Sequence, residues 1–147
     1  MTPMGFLDGI RVLDLGGHIS APFCARLLAD YGADVIKVEP TAGDVTRRTG
    51  PFAGDDPHRE KSIVFLYTNT NKRGVTLDLA AQAGKTLLSG LIESSDILVQ
   101  NLSPDEAEYL GLNYGKLGEI NPKLVATSIT PFGLSGPYKD LAATDIV

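Results

Sequence analysis

The chain has 147 residues, 43% hydrophobic and 21% charged, with a net charge of −5. This is the length and composition of one ordinary globular domain, and the acidic balance excludes general binding to nucleic acid or anionic membranes while allowing an anionic ligand on a local basic cluster. A single cysteine, Cys24, forms no internal disulfide, the opening MTPMGFLDGI lacks the order of a secretion signal, and no apolar run nears bilayer length, so the reading is a cytoplasmic protein.

IRVLDL (residues 10–15) is short, apolar and β-rich, and predicts a strand. A glycine loop, GGHIS, follows. Pro22 suits the first turn of a helix, where its missing N–H is not needed. FCARLLADY then predicts a helix with Phe23, Leu27 and residues 28–31 toward the core, ending at a glycine cap, Gly32. ADVIKVE (33–39) reads as a buried parallel strand punctuated by Lys37 and Glu39. Strand, helix and strand within about thirty residues make a βαβ unit, and ligands bind at the C-terminal ends of such strands.

Residues 40–62 form a long loop rich in proline, glycine and charge, of the kind that carries function or moves. FLYTNTNKRG is ambiguous between helix and strand. VTLDL (75–79) predicts a strand. AAQAGKTLLSGLIESS (80–95) predicts a helix with Leu87, Leu88, Leu91 and Ile92 inward, and DILVQN (96–101) another buried strand. Ser103 and Pro104 start a helix, followed by acids that suit its positive end. YGKLGEINP gives a short helix ending near Pro122, and LVATSITPF a last strand. The glycine-rich tail turns apolar just before Val147, which reads as a truncated element.

Four groups of residues could carry chemistry. The glycine loop after the first strand could cradle a phosphate on backbone N–H groups, but Gly16-Gly17-His18-Ile19-Ser20-Ala21 fails the G-x-G-x-x-G fingerprint of dinucleotide binding. On spacing alone it is an ordinary βα turn, although Glu39 stands where a ribose-binding acid would. The cations Lys37, Arg47, Arg48, Lys61, Lys72 and Arg73 could grip a phosphorylated ligand, or each could be solvated surface charge. His18 and His58 have no metal-ligand spacing, so no metal site is expected. Asp140 and Asp145 could act as carboxylates in a site, or cap a turn and a helix.

Taken together, LDGIRVLDLGGHISAPFCARLLADYGADVIKVEPTAGDVTR, NTNKRGVTLDL, DILVQN and LGLNYGKLGEINPKLVATSITPFGLSGPYKD resemble the N-terminal part of the family III CoA-transferases. This is the family of formyl-CoA transferase, the carnitine CoA-transferases and α-methylacyl-CoA racemase. The resemblance spans nearly the whole chain, with several motifs in order. It implies that residues 1–147 are part of a large Rossmann-like α/β domain, a parallel sheet with flanking helices. It implies a homodimer of interlocked chains, each with a smaller second domain absent here, and apolar surfaces that would promote self-association of this piece. The substrates implied are an acyl-CoA and a small carboxylic acid, with no permanently bound cofactor.

By resemblance CoA contacts fall on the first βα loop (Gly17, His18, Ile19, Ser20, Ala21), on Lys72, Arg73 and Leu77, and on Asn101. The family's nucleophile is an aspartate outside these residues, and Asp145 matches an accessory acid. Racemases of the family place a histidine before that acid. Thr144 stands there, which argues against racemisation. The loop after the fourth strand, usually N-F-x-P-G, reads NLSPD, and Tyr109 replaces a basic residue on the next helix. Three other readings remain: a non-catalytic CoA- or partner-binding module, an α-methylacyl-CoA racemase-like isomerase, and a nucleotide-dependent oxidoreductase.

Overall fold

The computed structural model describes residues 5–141 and 143. Val12 and Leu13 are completely buried because their strand has a neighbour on each edge and helices on each face. The elements run β1 (Arg11–Asp14), α1 (Ser20–Asp30), β2 (Asp34–Glu39), α2 (Ile63–Asn69), β3 (Arg73–Thr76), α3 (Gln82–Glu93), β4 (Ile97–Gln100), α4 (Pro104–Tyr109), α5 (Tyr114–Ile120) and β5 (Val125–Ser128). Two 3-10 turns, Val45–Arg48 and Ala53–Asp55, lie between β2 and α2. The strands form a single sheet in the order β3-β2-β1-β4-β5, and every pairing is parallel. This is the expected Rossmann-like α/β arrangement.

Alternation along each strand sends residues to two different layers. Leu13, Val38 and Leu98 face a layer containing Leu88 and Ile92 of α3 and Leu117 of α5. Val12, Val35 and Val99 face α1 through Ala21, Ala25 and Ala29. That alanine stripe corrects the expectation for α1: Leu27 is 43% exposed and Tyr31 61% exposed. Small residues at every fourth position let the helix lie close to the valine face, which leaves the larger side chains outside. Leu87 is likewise turned outward on α3, whereas Leu88 and Ile92 are buried.

Local signals set the element ends. Gly32 adopts φ +101 just after α1, in the left-handed region where a β-carbon is costly. Ser103 and Glu106 form a reciprocal capping box on α4, with Pro104 at its first turn. The ambiguous FLYTN stretch belongs to a helix, α2, started by the Ser62 hydroxyl accepting from the Phe65 N–H at 3.2 Å. β3 begins at Arg73, two residues before the expected VTLDL strand, and Leu77 lies buried just past its end. No helix among the described residues is long and apolar enough to cross a membrane.

Candidate functional site

From β1 the chain crosses to β2 by way of α1 on one face of the sheet, while α3 leads into β4 from the other face. The two directions part between β1 and β4, so a crevice opens at their C-terminal ends, where open α/β sheets bind ligands. Here it is a groove of about 800 Å³. The glycine loop and the segment from Asn101 to Pro104 line it, together with Asp44, Arg48 and the 139–141 stretch.

The glycine loop is held tightly. A β-carbon on Gly16 would stand 2.3 Å from the Ala21 β-carbon, so only glycine fits there. The Asn101 amide meets Gly17 at two points: its oxygen accepts the Gly17 N–H at 2.9 Å, and its nitrogen donates to the Gly17 carbonyl at 2.9 Å. The same nitrogen donates to Ser20 Oγ at 3.0 Å. His18 is exposed and held at φ 58. No side chain caps the start of α1, so its first-turn N–H groups and positive dipole end suit an anion.

Beneath this loop lies a cluster of buried charges. β1 and β2 place Asp14 beside Lys37 in register. Lys37 Nζ donates to the Gly16 carbonyl at 2.6 Å and pairs with Asp44 at 3.0 Å, with Asp14 at 3.9 Å. Lys72 Nζ donates to Asp14 at 2.7 Å, to the Pro22 carbonyl at 2.6 Å and to Asn69 at 2.9 Å. Two lysines thus balance two aspartates where unpaired charge would be prohibitive. Burial pushes the Asp44 carboxyl up, but Lys37 and the Thr46 hydrogen bonds outweigh it, so the group sits below its ordinary range. Burial lowers the Lys72 ammonium, with Asp14 opposing the shift.

Glu39 is also buried, and both of its oxygens accept hydrogen bonds. Arg47 forks onto both at 2.7 and 2.8 Å, and the Asp44 N–H donates at 3.0 Å. Burial raises this carboxyl, yet the Arg47 hydrogen bonds, the Asp44 N–H and the nearby positive charges bring it below its ordinary value. Arg47 also bonds Glu60 and lies 3.7 Å over the Phe65 ring. Arg47 and the Asp44 N–H take up most of what this carboxylate can accept, which weakens its reading as a ribose-binding acid.

Of the expected CoA contacts, Gly17, His18 and Asn101 line the groove, and Ile19 and Ser20 are exposed beside them. Four others fall elsewhere. Ala21 is fully buried against the sheet. Lys72 has all three donors consumed inside the protein, with its side chain 2% exposed. Arg73 lies at the opposite end of the sheet, forked onto Asp34 at 2.9 and 2.6 Å. Leu77 belongs to the apolar layer and lines a smaller neighbouring hollow.

Of the remaining cations, Lys61 pairs with Asp56. Arg48 is exposed on the groove, with no ion pair among the described residues. Asp140 lines the groove and pairs with Lys139 at 2.6 Å. Asp145 and Thr144 lie outside the described residues. Asp14 gives no signal in the sequence because its partner Lys72 lies 58 residues along the chain, and Asp44 is one charge among many in the loop that follows β2.

CoA-transferase family III matches residues 7–147. Over 136 residues the chain is 40% identical to the succinyl-CoA:(R)-benzylsuccinate CoA-transferase subunit BbsE of Thauera aromatica, covering 92% of this chain and 33% of that protein. It is 45% identical over 135 residues to the formyl-CoA:oxalate CoA-transferase of Rhodopseudomonas palustris, covering 91% and 31%. The chain therefore spans about a third of the length of the curated relatives it matches. The solved structure of a CAIB/BAIF family protein from Brucella suis superposes with a TM-score of 0.88 at 35% identity, over 97% of this chain and 38% of that one.

Proposed function

The chain belongs to CoA-transferase family III, and from that premise we propose that it supplies the CoA-binding wall of an enzyme that moves CoA between an acyl-CoA and a small carboxylic acid. The observation that carries the reading is the groove at the strand-order reversal, walled by the Gly16–Gly17 loop and by Asn101. Backbone N–H groups at the start of α1 and the exposed Arg48 suit the phosphates of CoA.

In the reaction, a carboxylate attacks the thioester carbonyl and CoA thiolate leaves, giving a mixed anhydride. The thiolate then returns to the activated carbonyl of the enzyme carboxylate and frees the first acid, leaving CoA held on the enzyme as an aspartyl-CoA thioester. The second acid takes over the CoA by the reverse of these steps. The attacking aspartate belongs outside these residues, with Asp145 as an accessory acid. The whole enzyme works as a homodimer with no permanently bound cofactor. Thr144, in place of a histidine, favours transfer over racemisation.

Calorimetric titration with CoA and with NAD tests the reading. CoA should bind these 147 residues and NAD should not, and the chain alone should leave acyl groups where they are. Preference for NAD would revive an oxidoreductase. CoA transfer by the chain alone, abolished by replacing one of its own residues, would refute the placement of the nucleophile.

A further inference from the structure

Lys37 is an unusual choice at its position. It faces the same layer as Val35, where an apolar side chain would pack at no electrostatic cost, and its side chain is 2% exposed. Replacing buried ion pairs by apolar groups is often neutral or stabilising, so stability alone does not explain a lysine here.

Its contacts suggest another reason. One ammonium reaches both walls of the groove. On one side it holds the Gly16 carbonyl at 2.6 Å, at the base of the glycine loop. On the other it holds Asp44 at 3.0 Å. Asp44 in turn caps the 45–48 turn, accepting from the Thr46 N–H at 2.8 Å and hydroxyl at 2.7 Å. Arg47 pins that turn a second time, through Glu39. The turn presents Arg48 to the groove that Gly16, Gly17 and His18 also line.

We propose that Lys37 is a positioning residue that fixes the distance between the glycine loop and Arg48, so that both grip the phosphates of one CoA molecule. The proposal rests on the CoA reading above. Lys37 touches no ligand itself; it acts through the two elements it ties together.

A double-mutant cycle of K37M and R48A, read as CoA affinity in the intact protein, tests it. If Lys37 aims Arg48, R48A weakens CoA binding about tenfold in the wild type and less than about twofold in K37M, a coupling of roughly 1 kcal/mol. A purely structural lysine would leave the two effects independent, and an equal loss from R48A in both backgrounds overturns the proposal. So does an R48A variant with wild-type affinity, or a K37M variant that binds CoA as the wild type does. If K37M does not fold, D44N takes its place in the cycle, since asparagine can still cap the turn but no longer pairs with the ammonium. Failure of both variants to fold assigns Lys37 to stability alone and overturns the proposal. Absence of CoA binding by the wild type is a different result: it removes the functional reading itself, and the inference with it.

Discussion

Both ends of β2 carry acid–base pairs, yet the two ends have little else in common. At the N-terminal end Asp34 meets Arg11 and Arg73 in the open, with side chains 42–65% exposed. At the C-terminal end Lys37 meets Asp14 and Asp44 with side chains 0–2% exposed. The first set sits in water, where attraction is screened and nearly repaid by the loss of solvation. The second set is sealed beneath the groove and ties three separate segments together. Ion pairs of the same chemical kind therefore lie open at one end of the sheet and buried at the other.

The strongest way to break this contrast is to remove one buried charge. D14N leaves Lys72 and Lys37 short of a counter-ion in the interior, and should cost about 3–5 kcal/mol in a denaturant titration. A loss below 1 kcal/mol would put the cluster on the same footing as the exposed end. G16A probes the loop that the cluster supports. The added β-carbon collides with Ala21, so a loss of about 1–3 kcal/mol is expected, together with weaker CoA binding.

Acid sharpens the contrast further. Asp44 and Glu39 both have folded-state values below their ordinary range, burial being outweighed by their cationic and N–H partners. The stabilisation they give is complete above their unfolded values, near pH 4, and disappears as pH falls through the lower folded values. Thermal melts of the wild type should show that decline below about pH 4, and D44N should flatten it. The smallest effect belongs to the exposed end: D34N should cost under about 1 kcal/mol, less in high salt.

The sequence makes one part of this visible and hides another. The βαβ unit, the Gly32 stop and the Ser103–Pro104 helix start are local signals, and all three occur in the fold. The inward face of α1 was misjudged because alanine weighs little in an apolar count, and close packing on Val12 and Val35 is a tertiary fact. Lys37 was visible as an oddity in a core strand, but its role was not. Its partners lie 21 residues away at Gly16 and on the far side of a proline-led loop at Asp44. Lys72 reads as a surface cation for the same reason, since nothing nearby announces that Asp14 awaits it.

We propose that CoA binds in the groove at the C-terminal end of the sheet. Amide chemical-shift mapping of the 15N-labelled protein during a CoA titration tests it most directly. CoA held in the groove should give large shifts at Gly16, Gly17, His18, Ser20 and Arg48, with Asp34 and Arg73 unmoved. Shifts concentrated at Asp34 and Arg73, with the glycine loop silent, would contradict it.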